Sequence, residues 1–314
     1  MRRLPIFFVV DGSESMIGES LYEIEMGIAT ITKTLRAAPY ALESTWVSVI
    51  AFAGKPKTVT PLTELFAFHP PELPVGGGTE LGAALDHLMD EIDRTVQKAT
   101  PDRKADWKPI IFLLTDGRPT DDVTRAVNRW NTGYRHGANL IAISIGGGAD
   151  TAILPMMTDD VLVFDDTAPQ AYARFINWIS QSVQAQSRSV STRGETRVSL
   201  AKCDADLLAD RQTKTALVDH DDRCAVFIAR CAKWAAPYIV KYERHLNRIE
   251  TADPALAQMF QTRNFALVMA VPVKNSYFEM SDSQSGAQPV SSADLIGQPA
   301  CPHCQARFGM AVCA

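Results

Sequence analysis

Three polar side chains follow a short apolar run near the start of the chain, at alternate positions. Asp11, Ser13 and Ser15 come directly after the apolar residues 6–10. Carboxylate and hydroxyl oxygens are hard ligands that suit Mg²⁺ or a similar ion rather than soft metals. The same stretch is also typical of an ordinary polar turn, so a metal site here requires further ligands from elsewhere in the chain.

Two other segments bring ligands of the same kind. Thr79 follows three glycines at 76–78 and precedes an amphipathic segment, and Asp116 follows the apolar residues 110–114. Glycine lets a backbone approach closely and adopt unusual φ values, so these loops can wrap around a small ion. Each segment alone is equally typical of a turn or a helix cap. Only their joint placement at strand ends points to one site.

The elements that must position these residues alternate between buried strands and amphipathic helices. The sequence predicts strands at 6–10, 46–53, 110–114, 140–145 and 161–164, with 57–62 as a hairpin partner of the second. Helices are predicted after most of them, one of them opening at Pro119 and Thr120 with Asp121 and Asp122 in its first turn. This alternation predicts an α/β fold with a doubly wound, mostly parallel sheet. Such sheets bind ligands outside the carboxyl ends of their strands.

The alternation of strand and helix patterns ends near residue 185, and the sequence pattern changes after it. Residues 1–185 are predicted to form the α/β domain, and the Ser-, Gln- and Arg-rich residues 186–196 a linker. Short apolar runs then predict a smaller, strand-rich domain at 197–298. Residues 299–314 are predicted to form a knuckle resembling part of a zinc ribbon.

Composition excludes some classes of function. The formal net charge is -5 and the pI about 5.7, which argues against broad binding to nucleic acids or anionic membranes. No apolar run approaches the ~18 residues of a membrane span. These features predict a cytoplasmic protein.

The six cysteines all lie after residue 202. Cys301 and Cys304 have metal-knuckle spacing and Cys313 follows them, so these three are the predicted Zn²⁺ ligands. A zinc ribbon needs four ligands, and the fourth is not apparent. Cys203, Cys224 and Cys231 are predicted to be small buried residues because none has knuckle spacing. His303 lies between two predicted ligands, where its own ligation is sterically awkward.

The first polar segments together resemble the metal-ion-dependent adhesion site of von Willebrand factor A domains. The residues that carry the resemblance are Asp-x-Ser-x-Ser at 11–15, Thr79 in Gly-Gly-Gly-Thr, and Asp116 in Thr-Asp-Gly. The resemblance implies that Ser13, Ser15 and Thr79 contact Mg²⁺ directly or through water, and that Asp11 and Asp116 act mostly through hydrogen bonds. An ion held in this way keeps net positive charge, and an acidic or phosphorylated side chain of a partner protein completes its coordination.

The end of the chain resembles the carboxyl-terminal metal-binding region of TerY-type proteins from bacterial tellurite-resistance clusters. That resemblance rests on the cysteine knuckle and, in outline, on residues 222–244. It implies a non-enzymatic adaptor that acts with a Ser/Thr kinase and a metal-dependent protein phosphatase. It also implies a second knuckle beginning at Cys313. The expectation is therefore that the sequence is cut short there or that the fourth ligand lies elsewhere.

Two alternatives share parts of the same pattern. In a phosphohydrolase of the haloacid dehalogenase type, Asp11 is the nucleophile, Thr115 supplies the second-motif hydroxyl, and 165–166 hold Mg²⁺. Ser13 then stands where that mechanism needs a second carboxylate for proton transfer. A regulatory subunit of a chelatase or MoxR-type ATPase assembly uses the same adhesion site. No nucleophile–base pair is apparent, so the sequence predicts a protein that is not an enzyme.

Overall fold

The computed structural model describes residues 2–116, 118–145, 153–164, 176–183, 224–244, 264–274, 276–281, 290–291 and 294–307. The chain divides into two compact units. The first comprises Met1–Leu217 with Glu279–Ser283, and the second comprises Val218–Phe278 with Gln284–Ala314. The predicted linker at 186–196 lies outside the described residues.

The first unit is built on a six-stranded sheet in the order β3-β2-β1-β4-β5-β6. All neighbouring strands pair in parallel except β3, which pairs antiparallel with β2 as the hairpin prediction required. The predicted fold class is confirmed. The strands are β1 Leu4–Asp11, β2 Thr45–Phe52, β3 Pro56–Glu64, β4 Ile110–Thr115, β5 Asn139–Ile145 and β6 Asp160–Phe164.

Helices separate the parallel strands along the chain. They are α1 Glu19–Arg36, α2 Pro39–Ser44, α3 Leu81–Thr95, α4 Thr124–Gly133 and α5 at 176–183. The stripe on α1 predicted from its 3.6-residue period is buried, from Leu21 to Leu35. Short 3₁₀ turns lie at Glu14–Met16 and Leu154–Met156.

Strand β1 lies at the centre of this sheet, and every residue of it is buried. Its alternate side chains enter two separate hydrophobic clusters, because successive residues of a strand point to opposite faces. Phe8 stacks on Phe112 of β4 within the first cluster, with ring centroids 5.5 Å apart. Phe7 and Val9 enter the second, which contains the apolar faces of α3 and α4. Packing on both faces fixes where β1 ends, and so where Asp11 lies.

The helix predicted to open at Pro119 begins instead at Thr124, so the prediction for Asp121 and Asp122 is wrong. Asp122 precedes α4 and accepts a hydrogen bond from the Thr124 amide at 2.9 Å. Asp121 caps a different helix, since its carboxylate accepts the Gly82 and Ala83 amides at 3.1 and 2.9 Å. A carboxylate is stabilised by the unpaired amides and the dipole at a helix start. This contact ties the loop after β4 to the start of α3.

The second unit contains a four-stranded sheet in the order β10-β9-β8-β7. Strands β7, β8 and β9 pair antiparallel, and β10 pairs in parallel with β9. Its small core contains Tyr238, Val240, Tyr242 and Phe265 together with two buried cysteines. The strands are β7 Cys224–Arg230, β8 Pro237–Arg244, β9 Phe265–Pro272 and β10 Leu295–Ile296. A short helix, α6 Ser276–Met280, begins in this unit, and its last two residues belong to the first unit.

Among the described residues, no helix combines the length and the apolar character needed to cross a membrane.

Candidate functional site

Asp11 ends the central strand of the first unit, and its side chain is fully buried. Both carboxylate oxygens accept hydrogen bonds. The Ser13 amide donates to Oδ1 at 2.9 Å, and the Thr115 hydroxyl, at the end of the neighbouring strand β4, donates to Oδ2 at 2.6 Å. These bonds fix the carboxylate at the carboxyl edge of the sheet, where the fold predicts a ligand site.

The two predicted serines and Asp116 form a chain of contacts beside Asp11. The hydroxyl oxygens of Ser13 and Ser15 lie 3.0 Å apart, and Ser15 donates to Asp116 Oδ1 at 2.8 Å. Ser15 and Asp116 are 101 residues apart in sequence. Four of the five predicted ligands of the adhesion site therefore lie together.

Thr79 lies in the loop before α3, and this loop is joined to both of the other segments. The Gly76 amide donates to the Gly12 carbonyl at 3.0 Å, and residues 13 and 76 form a parallel bridge. The Thr79 amide donates to the Thr120 hydroxyl at 3.0 Å, and the Thr120 amide donates to the Thr79 carbonyl at 2.9 Å. Thr79 is buried. The three predicted segments thus converge on one edge of the sheet.

Two glycines are required for this convergence. A Cβ at Gly12 would overlap the carbonyl oxygen of Pro74, and a Cβ at Gly76 would lie 2.7 Å from the Cβ of Met280. Separations under 3.0 Å do not occur between real Cβ atoms and their neighbours. A larger residue at Gly12 would therefore push the Ser13 segment away from the loop that carries Thr79, and one at Gly76 would push that loop away from Met280.

The charge balance of this cluster suits a cation. Burial, followed by the neighbouring carboxylate of Asp116, raises the pKa of Asp11 to about 7, and the hydrogen bonds from Thr115 and Ser13 lower it only in part. The two carboxylates therefore disfavour each other's ionised form. A divalent cation beside the hydroxyls would favour both ionised forms, and these oxygen donors fit Mg²⁺.

A second cluster lies in the other unit and consists of three thiols. The Sγ atoms of Cys231, Cys301 and Cys304 all lie within 4.8 Å of one another. Cys231 and Cys301 are buried, and Cys304 is partly buried. Cys231 is buried, as predicted, but its exclusion from the candidate ligands is wrong, because its Sγ lies with the knuckle thiols. Cys313, the third predicted ligand, lies outside the described residues, as does Cys203.

The thiols of this cluster are unequal in acidity. Burial opposes ionisation of Cys231, but the amides of Trp234 and Lys233 and hydrogen bonds from the other two thiols outweigh it and lower its pKa. The Ala306 amide favours the thiolate of Cys304, but burial and the neighbouring thiols outweigh it and raise its pKa. A thiolate crowded by two further thiols is a fitting site for a thiophilic cation such as Zn²⁺.

His303 is not part of this cluster. Its Nε2 lies 3.1 Å from the carbonyl oxygen of Pro237, and its ring packs edge-on against Tyr238 with centroids 6.1 Å apart. The expectation that it is not a ligand agrees with this contact. Cys224 begins β7 and lies outside the three-thiol group.

Comparison with known proteins assigns the two units separately. The profile of the von Willebrand factor type A domain matches residues 6–175. The profile of the TerY-C metal binding domain matches residues 221–314. These matches agree with both resemblances noted in the sequence.

The chain is 26% identical over 151 residues to matrilin-1 of Bos taurus, and the match covers 46% of this chain and 26% of matrilin-1. Solved structures similar to the first unit include proximal thread matrix protein 1 from the mussel byssus, at 18% identity and a TM-score of 0.43, covering 58% of this chain and 48% of that one. The ArnB paralog VWA2 from Sulfolobus acidocaldarius is 15% identical with a TM-score of 0.43, covering 58% of this chain and 45% of that one.

Proposed function

The chain belongs to the von Willebrand factor type A domain family, and from this premise we propose that it is a non-enzymatic adaptor that binds proteins through a divalent cation. The observation that carries the proposal is the convergence of three distant segments on one cluster of hydroxyls and carboxylates. In that cluster Ser15 joins Ser13 to Asp116, and Asp11 anchors the Ser13 backbone.

Mg²⁺ is the cation that these residues suit best. Ser13, Ser15 and Thr79 would supply neutral hydroxyl oxygens to it. Asp11 and Asp116 would act indirectly, through the hydrogen bonds that they accept. Asp11 accepts one from the Ser13 amide, and Asp116 accepts one from the Ser15 hydroxyl. Neutral ligands leave the ion with most of its positive charge, so it attracts an anionic ligand from outside.

The partner's contribution would be an acidic or phosphorylated side chain. A carboxylate or phosphate oxygen completes an octahedral Mg²⁺ and neutralises its remaining charge. Removal of the ion would leave two carboxylates facing the partner's anion, and like charges at short range repel. Binding should therefore depend entirely on the cation.

The alternative of a phosphohydrolase is less well supported by the geometry. A carboxylate nucleophile must present a free oxygen to its substrate, whereas Asp11 is 0% exposed and both of its oxygens are occupied. Ser13 occupies the place of the second carboxylate and cannot carry protons near neutral pH. Residues 165–166, the metal ligands in that hypothesis, lie outside the described residues.

The partners follow from the resemblance to TerY-type proteins, which the match of residues 221–314 supports. We place the protein in the bacterial cytoplasm, in a phospho-signalling set with a Ser/Thr kinase and a metal-dependent protein phosphatase that responds to tellurite or a related stress. A regulatory subunit of a chelatase or MoxR-type ATPase assembly is the second candidate. Copurification with an ATPase ring would favour that candidate.

The metal of the second unit is proposed to be Zn²⁺. Thiolates are the commonest ligands of zinc in small domains, and two of the three thiols here belong to the core of this small unit. The ion would therefore hold the second unit together rather than bind the partner.

Affinity capture with the full chain as bait tests the proposed function. Partners retained with Mg²⁺ should be lost with EDTA and equally lost with the Ser13→Ala variant, because both remove the cation's contact with the partner. The matched control is Thr30→Ala, which removes an exposed hydroxyl bonded within α1. Mass spectrometry should identify a kinase or phosphatase among the retained proteins.

Two outcomes would contradict the proposal. Retention that is indifferent to EDTA and to Ser13→Ala would show that the cation takes no part in docking. Turnover of phosphate esters with Mg²⁺, abolished by Asp11→Asn, would establish the phosphohydrolase instead.

A further inference from the structure

Residues 231–236 form a tight turn that joins β7 to β8. The Cys231 amide donates to the Ala236 carbonyl at 2.9 Å, and the Ala235 amide donates to the Cys231 carbonyl at 2.7 Å. Ala235 has a φ of 53°, in the left-handed region that residues with a Cβ seldom adopt. The antiparallel pair of Arg230 with Pro237 closes the turn.

Residues 301–306 form a turn of the same construction. The Cys301 amide donates to the Ala306 carbonyl at 2.9 Å, and the Gln305 amide donates to the Cys301 carbonyl at 2.8 Å. Gln305 has a φ of 62°. An antiparallel bridge between Ala300 and Arg307 closes this turn. The two turns thus share both hydrogen bonds, the left-handed residue and the closing pair, at identical offsets from their first cysteine.

The shared geometry defines which residues of the two turns correspond. Cys231 corresponds to Cys301, since each is the first residue of its turn. Cys304, the second thiol of the later turn, corresponds to Trp234. The first turn is therefore a metal knuckle in which tryptophan occupies the place of the second cysteine. This explains why three thiols, and not four, lie together among the described residues.

Trp234 does not supply the missing ligand. An indole nitrogen donates a hydrogen bond but offers no lone pair to a metal. The side chain is 56% exposed, and the Lys233 ammonium lies 5.1 Å from its ring centroid. The imidazole next to Cys304 is held by the Pro237 carbonyl. Among the described residues, neither side chain next to the three thiols offers a fourth ligand atom to an ion.

We propose that the metal ion held by Cys231, Cys301 and Cys304 has its fourth coordination position at the place of Trp234, and that this position takes an exchangeable external thiolate. Zinc bound by three protein ligands with one open position is the arrangement that admits an outside ligand, whereas four protein ligands close the site. Sulfur suits an ion already bound by three thiolates. The Lys233 ammonium offsets the added negative charge. The inference rests on the proposal that these thiols hold a metal.

Cobalt substitution of the full chain tests this inference, because the sulfur-to-cobalt absorption counts the bound thiolates. The wild-type protein should give a spectrum of three sulfurs, and adding β-mercaptoethanol should raise the absorption by roughly a third, since Co–S bonds rise from three to four. Trp234→Cys should give the four-sulfur spectrum without added thiol, no response to thiol, and metal affinity at least tenfold higher. Trp234→Phe, which has no ligand atom, should respond to thiol as the wild type does.

The outcomes distinguish an error about the fourth coordination position from an error in the proposal that the three thiols hold a metal. A wild-type spectrum of four sulfurs that ignores added thiol would overturn the inference, and its conversion to three sulfurs by Cys313→Ser would identify an internal fourth ligand. A response to thiol that is unchanged in Trp234→Cys would also overturn it. Failure of wild-type cobalt binding altogether would instead refute the proposal that the thiols hold a metal.

Discussion

Replacing Asp11 by asparagine is expected to stabilise the ion-free protein and to abolish its stabilisation by Mg²⁺. The pKa of Asp11 is raised from 3.8 to about 7, so between these values the folded, ion-free protein keeps a proton that the unfolded chain has released. The free energy of unfolding of the ion-free protein therefore falls as the pH rises through this window. The whole of this loss of stability is present at a pH above the window. Asparagine removes the charge while retaining an oxygen for the Ser13 amide.

Thermal unfolding at pH 5 and pH 8, with and without Mg²⁺, measures both effects. The wild type should lose stability between pH 5 and pH 8 without the ion and gain about 2.7 kcal/mol at a Mg²⁺ concentration one hundred times its Kd. The variant should unfold at a higher temperature than the wild type at pH 8 without Mg²⁺, and it should not respond to the ion. Asp102→Asn, at an exposed position, is the control and should behave as the wild type. A Mg²⁺ response retained by Asp11→Asn would contradict the assignment.

Replacing Cys301 by serine is expected to unfold the second unit. Cys301 is 3% exposed and belongs to the same small core as Tyr238 and Phe265. Structural zinc contributes on the order of 10–16 kcal/mol to the folding of small domains, which exceeds what a core of this size supplies. Removal of one thiolate should therefore remove both the ion and the sheet.

Hydrogen exchange followed by mass spectrometry distinguishes the two units. Peptides from β8 should lose protection in Cys301→Ser and in the wild type treated with a zinc chelator. Peptides from β1 should keep theirs, because that strand is buried in its own core. Cys224→Ser is the matched control, since Cys224 lies outside the thiol cluster. Protection of β8 that survives in Cys301→Ser would show that the unit folds without a metal.

The sequence was sufficient to predict the sheet and the residues that gather at its edge. Apolar runs of strand length, separated by segments with helical period, predict parallel strands, and parallel strands place their carboxyl ends at one edge. Asp11 and Asp116 each come at or just after the end of such a strand, so their proximity followed from the fold. Their hydrogen-bond partners did not, because register between strands decides that Thr115 faces Asp11.

Contacts between distant segments account for what the sequence did not predict. Asp121 was assigned to the helix that follows it, because only local neighbours are visible in a sequence, but the amides that it caps lie 39 and 38 residues earlier. Cys231 was not predicted to be a metal ligand, because no second cysteine follows it at knuckle spacing. A signal was nevertheless present, since Cys231 and Cys301 both begin a turn with a small residue, alanine, five positions later.

The central claim is that the segments around Asp11, Thr79 and Asp116 form one cation site. Calorimetric titration of Mg²⁺ into the full chain, freed of Mg²⁺ by dialysis with its Zn²⁺ retained, tests this claim most directly. The account predicts a single ion per chain at pH 7. Because the pKa of Asp11 is about 7 and binding displaces its proton, the affinity should rise about fivefold between pH 6 and pH 7. Asp116→Asn should abolish the binding heat, while Asp102→Asn should leave it unchanged. Absence of Mg²⁺ binding at pH 8, or equal binding by Asp116→Asn, would contradict the account.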